Sequence, residues 1–196
     1  VIDGIGRDSA SITAQEALSV PRPPGPSVTL ACAVPKKMKF ESIIEKCTEL
    51  GVDRIIPLVT ARTEFFRGAE KAEKRSARFL RVVVNAAKQS KRLWFPEISA
   101  PLPFAEAVQD VSGPQAALFI PWLEGERVPL LRALEGKGRM KQIVFFIGPE
   151  GDFTPAEVAL AREAGAVPVS LGENVLKVDT AAIAVVACAV SMREGS

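Results

Sequence analysis

Strand-like and helix-like patterns alternate along most of this 196-residue chain, and the alternation constrains its fold more than any other feature. Short apolar runs, such as residues 28–34 and 142–147, are typical of buried strands. Between such runs lie segments whose apolar residues recur at helical intervals, as in residues 39–50 before the stop signal Gly51. Strands that alternate with helices predict an α/β fold, in which a parallel sheet carries helices on both faces.

The same patterns predict the bounds of each element. The predicted strands are residues 28–34, 54–59, 116–120, 142–147 and 167–171. The predicted helices are residues 39–50, 69–90, 103–109, 130–135, 154–165 and 180–192. Thr154 and Glu157 form a capping-box signature at the start of the fifth helix. The inner face of the second helix is predicted to hold Phe79, Leu80, Val83, Val84 and Ala87.

The amino-terminal part departs from this alternation. Residues 1–14 contain small alternating stretches around Asp3 and Gly4, which predicts a hairpin with its turn at these two residues. Residues 20–26 hold four prolines, too many for a helix or a central strand. We therefore predict a linker at residues 20–27 and a main domain over residues 28–196.

The composition excludes several kinds of site. The sequence contains no histidine, which removes Ser-His-Asp and Cys-His nucleophiles and every histidine metal ligand. Its three cysteines, Cys32, Cys47 and Cys188, are widely spaced and form no C-x-x-C pair. We therefore expect no metal site and no disulfide, but free thiols in a reducing cytoplasm. The longest apolar run, residues 180–190, is too short to cross a membrane.

Positive charge is concentrated in one segment. Residues 67–92 contain nine basic and two acidic side chains, although the whole chain carries a net charge of only +2. Such a strip suggests a polyanionic partner, most simply a phosphate backbone. The equally weighted alternative is a long solvated helix whose cations only maintain solubility.

Three loops follow strands of the predicted sheet, at residues 121–124, 148–152 and 172–177. Ligands in an open α/β sheet bind at the carboxyl ends of the strands, and glycines in two of these loops let the backbone approach a ligand closely. Neither glycine loop matches the G-x-x-x-x-G-K-[ST] pattern of a P-loop. Together the loops indicate a binding site without identifying its ligand.

Five sequence blocks carry a resemblance to a known family. The strongest are residues 146–151 (FIGPEG), 153–157 (FTPAE) and 169–181 (VSLGENVLKVDTA). Residues 39–58 and residues 89–98 (QSKRLWFPEI) agree with them. In this order the blocks resemble the RsmE family, the bacterial 16S ribosomal RNA uridine N3-methyltransferases of the SPOUT superfamily. The resemblance covers Val28 to Met192, nearly the whole chain.

The resemblance implies a fold and a cofactor. The implied SPOUT fold has a carboxyl-terminal trefoil knot and forms a homodimer. It is preceded by a PUA-like β-barrel that grips RNA, and residues 1–19 look like the remaining tail of that barrel. The implied cofactor is S-adenosylmethionine. The resemblance implies that nine positions bind it: Ile120, Pro121, Ile147, Gly148, Gly151, Leu171, Gly172, Val175 and Leu176. For one or two of these positions the alternative role is packing within the knot.

The resemblance also implies methyl transfer to N3 of a uridine in 16S ribosomal RNA of the small subunit. That nitrogen is mostly protonated at neutral pH and needs help to react. Lys177 is the candidate that stabilises the developing anion, and Asp179 is the candidate that accepts the proton or holds Lys177 in place. The alternatives are a structural contact between these two side chains, or a cap on the last helix from Asp179 with Thr180.

The end of the basic helix supplies candidate RNA contacts. Gln89, Ser90 and Arg92 suit contacts with bases and phosphates, and Lys88 and Lys91 add positive charge.

Four positions depart from the usual family pattern. Lys177 and Asp179 stand where the family usually has Arg-x-Glu, Asp152 replaces a glycine, and Lys88 replaces an acid. A lysine lacks the bidentate fork of arginine, and aspartate is one methylene shorter than glutamate, so the geometry must adjust. Two alternatives therefore stay open: a SPOUT methyltransferase acting on another RNA or on a ribose 2′-hydroxyl, or an RNA-binding assembly factor without turnover.

Overall fold

The computed structural model describes residues 2–13, 21–35, 40–63 and 69–195. The strands are β1 (Ile2–Ile5), β2 (Ala10–Ile12), β3 (Ser27–Ala33), β4 (Arg54–Val59), β5 (Glu97–Ile98), β6 (Leu102–Pro103), β7 (Ala116–Pro121), β8 (Val128–Pro129), β9 (Gln142–Ile147) and β10 (Val167–Ser170). The helices are α1 (Phe40–Leu50), α2 (Ala69–Gln89), α3 (Phe104–Val111), α4 (Leu130–Leu134), α5 (Pro155–Glu163) and α6 (Val178–Ser191).

One parallel sheet organises the main domain. Its strands lie in the order β5-β4-β3-β9-β7-β10-β8, with β6 beside β4. Every pairing in this sheet is parallel. The carboxyl ends of β9, β7 and β10 are therefore neighbours at one edge, and the loops that leave these three strands meet there.

Helices cover both faces of the sheet, as the alternation predicts. On one face α1, α2, α4 and α6 pack on side chains such as Leu30 and Phe145. On the other face α3 and α5 pack on side chains such as Ile56 and Phe146. Because both faces are covered, the central strands are apolar at nearly every position, which is why they appear in the sequence as continuous apolar runs.

Local signals in the sequence account for the ends of two helices. Gly51 has a φ of 107° and ends α1, and the Val52 N–H donates to the Cys47 carbonyl at 3.0 Å, as in a Schellman motif. Thr154 caps α5, where its hydroxyl accepts from the Glu157 N–H and the Glu157 carboxylate accepts from the Thr154 N–H. The capping box is therefore present where it is predicted.

Three sequence predictions about local structure are wrong. Leu80 is 53% exposed rather than on the inner face of α2. Asp3 and Gly4 lie within β1, and the turn of the hairpin falls instead at Gly6 to Ser9, where the Gly6 N–H donates to the Ser9 carbonyl. The last helix begins at Val178 rather than Thr180, because Val178 is buried against the core and the extended Lys177 precedes the first turn.

The hairpin of β1 and β2 is a separate two-stranded sheet with exposed residues. The assignment of residues 1–19 to a PUA-like barrel and the trefoil knot both stay predictions. The described residues do not include residues 1 and 14–20 of the amino-terminal part. Two further residues also lie outside them, Lys39 of the family motifs and Arg67 of the basic segment.

Candidate functional site

A cavity of about 490 Å³ opens where the strands of the sheet end. Its walls come from the loops after β7, β9 and β10 and from the first turn of α6. These are the three loops that the strand pattern selects, so the predicted meeting of the loops at this edge is observed, and ligand binding there stays a prediction. The lining is mainly apolar, with charged side chains at Arg127, Glu150, Asp152 and Lys177.

Seven of the nine positions implied to bind the cofactor line this cavity. They are Pro121, Ile147, Gly148, Leu171, Gly172, Val175 and Leu176. The fold brings these residues together from three segments of the chain, at residue 121, residues 147–148 and residues 171–176. Gly172 has a φ of 124°, a conformation that side-chain-bearing residues rarely adopt, and this explains the glycine at that turn.

The other two positions do not line the cavity. Ile120 is fully buried in the core beneath α3 and α5, one residue before Pro121. Strand alternation turns adjacent side chains to opposite faces, so Ile120 and Pro121 cannot both face the same space. Gly151 lies outside the cavity lining, and its carbonyl accepts a hydrogen bond from the Arg62 guanidinium.

Asp152 ties two of the loops together. Its carboxylate accepts from the Leu123 N–H at 3.1 Å and from its own neighbour, the Phe153 N–H, at 2.8 Å. Its φ of 61° is in the left-handed region, which glycine favours and aspartate tolerates. The departure from the family glycine therefore keeps the backbone conformation and adds two hydrogen bonds, one of which reaches the loop after β7.

The two candidate catalytic residues occupy different environments. Lys177 lines the cavity and its side chain is exposed. Asp179 is half-buried in the first turn of α6, does not line the cavity, and accepts from the Thr180 hydroxyl at 3.5 Å. Among the described residues no ion pair joins Lys177 and Asp179, and α6 has no side-chain cap, so neither structural alternative for these residues is observed.

Sequence reasoning missed several residues of the cavity wall. Trp122 and Leu123 fall within the selected loop, but Arg127, Val169 and Ala181 belong to it only through the fold. Arg127 lies three residues past the selected loop, and no motif marks it. Helical spacing could have predicted that Ala181 lines the cavity, because Ala181 lies one turn beyond Lys177 and therefore on the same side of the helix.

The segment implied to bind RNA lies far from this cavity. Arg92 contacts the residues just before β4, and Glu97 pairs with Arg54, the first residue of β4. The segment therefore lies at the edge where strands begin, whereas the cavity lies where they end. A strand of six residues spans about 20 Å, which separates the two within one chain.

Arg92 has a structural role. One guanidinium nitrogen donates to the Thr48 carbonyl at 2.8 Å and to the Val52 carbonyl at 2.9 Å, which joins the end of α2 to the end of α1. Burial lowers the pKa of Arg92, and nearby Asp53 partly opposes that shift. The Ser90 hydroxyl is also occupied, since it donates to the Ala86 carbonyl at 2.8 Å. Of the five candidates, Lys88, Gln89 and Lys91 are exposed.

Replacing Arg92 by alanine is expected to lower the free energy of unfolding by about 1 to 3 kcal/mol, because two carbonyls lose their partner. The affinity for RNA is expected to stay within about twofold of wild type. Denaturant titration and filter binding measure the two quantities. Lys88→Ala, which changes an exposed cation of the same segment, is the control, with a stability change under about 0.5 kcal/mol. An RNA-binding defect in Arg92→Ala at unchanged stability would contradict the structural role.

The cysteine thiols do not contribute to the candidate site. All three thiols are free, and burial raises the pKa of Cys47 to about 12 and that of Cys32 well above its usual range, so both are protonated and unreactive. No group of three or more cysteine, aspartate or glutamate side chains suitable for a metal occurs in the described residues. Nor does any described helix combine the length and apolar character needed to cross a membrane.

Comparisons with known proteins bear on this site. A family model described as an RNA methyltransferase domain matches residues 22–190. The chain is 43% identical over 157 residues to ribosomal RNA small subunit methyltransferase E of Synechocystis sp., covering 79% of this chain and 50% of that protein. It is 33% identical over 186 residues to the protein of the same name from Mycobacterium bovis, covering 93% of this chain and 69% of that protein.

A solved structure is similar as well. Ribosomal RNA small subunit methyltransferase E from Neisseria gonorrhoeae, bound to S-adenosyl methionine, aligns with a TM-score of 0.76 at 29% identity. The alignment covers 85% of this chain and 67% of that one. Against the Synechocystis protein, by contrast, this chain spans only half of the relative's length.

Proposed function

This chain belongs to the family of ribosomal RNA small subunit methyltransferase E, and on that premise we propose that it transfers a methyl group from S-adenosylmethionine to N3 of a uridine in 16S ribosomal RNA. The observation that carries the proposal is the meeting, around one cavity, of seven residues that the family resemblance implies to bind the cofactor. The resemblance selects these residues without knowledge of the fold, and three separate loops supply them.

The cavity suits the proposed cofactor. Its volume of about 490 Å³ lies within the roughly 300 to 1,000 Å³ of small-molecule sites. Ile147, Leu171 and Leu176 offer apolar surface for the adenine ring, and the backbone of Gly148 can hydrogen-bond its polar edge. The Gly172 carbonyl accepts from the Ser170 hydroxyl at 3.1 Å and keeps a second lone pair for the ligand. When bound, S-adenosylmethionine supplies a methyl group that its sulfonium makes electrophilic.

The chain's own residues then have to position the uracil and stabilise its anion. Lys177 lies on the cavity wall at the amino terminus of α6, where its ammonium can pair with negative charge that develops on the base. The first-turn N–H groups of α6 contribute positive potential at the same wall. Asp179 is the proposed proton acceptor, and because its carboxylate does not line the cavity, a bridging water must relay the proton.

The proposed RNA partner is large enough to reach both edges of the sheet. Ribosomal RNA in a small subunit extends far beyond the roughly 20 Å length of a six-residue strand. Lys88, Gln89 and Lys91 are therefore proposed to hold the phosphate backbone away from the reacting uridine. The proposal also includes a homodimer and a cytoplasmic location. It assigns residues 1–19 to the tail of the barrel and residues 20–27 to the linker.

Transfer of label tests this function. The chain is incubated with methyl-labelled S-adenosylmethionine and small ribosomal subunits that lack the modification, and in parallel with large subunits. The proposal predicts label in 16S ribosomal RNA and none in large-subunit RNA. Binding of the donor in calorimetry without any transfer would contradict it and would favour the assembly-factor alternative.

A further inference from the structure

A second cavity lies beside the first, and the function proposed above does not use it. Its volume is about 520 Å³, also within the range of small-molecule sites. Leu123, Arg127 and Val175 are among the residues that line both cavities. Pro129 and Glu173 line only the second cavity. Six of the eight residues that line the second cavity also line the first and form a shared wall, so the second cavity opens from the side of the first and ligands in the two spaces can meet.

The shared wall presents apolar surface to solvent. Leu123 is 51% exposed and Val175 is 74% exposed. Both lie on loops that flank the cavities rather than on a helix face, and exposed apolar surface beside a cavity is where a ligand can bind. A nucleobase in the second cavity would contact both side chains while its reacting edge faces the first cavity.

Arg127 supplies a positive charge at the same wall. Its Nη1 donates to the Trp122 carbonyl at 3.1 Å, which holds the guanidinium on the loop. Among the described residues this is its one recorded partner, so its other N–H groups can bind a ligand. The loop itself is held by the Leu123 N–H to Asp152 contact and by the Trp122 ring, which packs closely over Gly125.

Both cations of the first cavity can bind anions, but they differ in position. Lys177 lines only the first cavity, whereas Arg127 lines both. Glu173 is the acid that lines the second cavity, and it is exposed. Glu124 and Glu126 share the loop of Arg127 but line neither cavity. An oxyanion that enters the second cavity therefore meets the guanidinium at the shared wall.

We propose that the second cavity receives the target nucleotide, with its base between Leu123 and Val175 and its phosphate bound by Arg127. This inference rests on the proposed function, because it names the place of the RNA nucleotide in that site. The planar fork of arginine can bind two phosphate oxygens at once. Arg127 is therefore a binding residue for the substrate, and Lys177 faces the reacting edge from the neighbouring cavity.

The test compares Arg127→Ala and Arg127→Lys with Arg162→Ala, which changes an exposed arginine of α5 outside both cavities. The probe is a single-stranded, uridine-containing oligoribonucleotide, added to the chain in the presence of S-adenosylhomocysteine. Arg127→Ala is expected to weaken oligonucleotide binding about tenfold and to reduce the salt slope of log K by about 0.7, the value for one phosphate contact on a single strand. Arg127→Lys is expected to keep most of the salt slope, and Arg162→Ala to match wild type.

Other outcomes overturn the inference. If Arg127→Ala weakens S-adenosylhomocysteine binding and leaves oligonucleotide binding unchanged, the guanidinium binds the carboxylate of the cofactor instead. Equal oligonucleotide affinity for wild type and Arg127→Ala, or no measurable affinity of wild type, also overturns it. Absence of methyl transfer by wild type would count against the proposed function alone, because the oligonucleotide titration does not depend on turnover.

Discussion

Replacing Lys177 by alanine is expected to lower kcat for methyl transfer by about 10²- to 10³-fold, the usual cost of removing a group that stabilises charge in a transition state. The physical reason is the position of Lys177. Its ammonium lies on the cavity wall beside the first turn of α6, and no ion pair with Asp179 is present in the described residues to engage it. We expect the KM for RNA to change far less than kcat, since the interaction forms mainly as the anion develops.

Three further variants accompany this prediction. Lys177→Arg places the usual family residue at this position and is expected to recover most of the rate, because the positive charge is kept. Lys141→Ala removes an exposed lysine at the opposite edge, just before β9, and is expected to match wild type. Asp179→Asn tests the proton acceptor, and its loss of rate is expected to shrink as the pH rises and uracil ionises on its own. A fully active Lys177→Ala would exclude the proposed role of this side chain.

Replacing Arg193 by alanine is expected to lower the free energy of unfolding by about 3 to 5 kcal/mol, because among the described residues it leaves the buried Asp53 carboxylate with only the exposed Arg22 guanidinium, 4.0 Å away, as an ion-pair partner. Arg193 forms an ion pair with Asp53, and the exposed fraction of each side chain is 8%. Arg193 Nε also donates to the Pro26 carbonyl at 2.9 Å, and Asp53 accepts from the Val28 N–H at 2.8 Å. The pair therefore joins the end of the described chain to the entry of the central strand β3.

The measurement is denaturant unfolding of both variants and wild type. A loss of this size corresponds to a fall in Tm of about 6 to 20 °C for a domain of this length. Arg139→Ala, which changes an exposed arginine, serves as the control and is expected to stay within about 0.5 kcal/mol of wild type. A change under 1 kcal/mol for Arg193→Ala would show that the ion pair contributes little, and would leave the anchoring of β3 to apolar packing.

Strands with a strong apolar pattern are predictable from sequence, including the residues at which they begin and end. The strand Arg54–Val59 and the strand Gln142–Ile147 agree with prediction at both ends. Both are buried on two faces, the first is bounded by Asp53 and Thr60, and the second is bounded by Lys141 and Gly148. The two-residue strands β5, β6 and β8 escape prediction. Such short segments carry too little pattern, and only their neighbours in the sheet define them.

The candidate site is predictable to the level of loops but not of side chains. Sequence order alone brings the three loops to one edge, since parallel strands all end there. It does not show that Ile120 faces the core, because that depends on which face of β7 packs against α3 and α5. Nor does it show that Arg92 joins two helix ends while Arg127 lines the cavities. Both outcomes depend on contacts between residues far apart in the chain.

The measurement that tests the central claim most directly identifies the methylated atom. RNA labelled by this chain from methyl-labelled S-adenosylmethionine is digested to nucleosides and separated by chromatography. The account predicts that the label co-migrates with 3-methyluridine, and that Lys177→Ala loses it while Lys141→Ala does not. Label in 2′-O-methyluridine, or in a methylated base other than uracil, would contradict the assignment to N3.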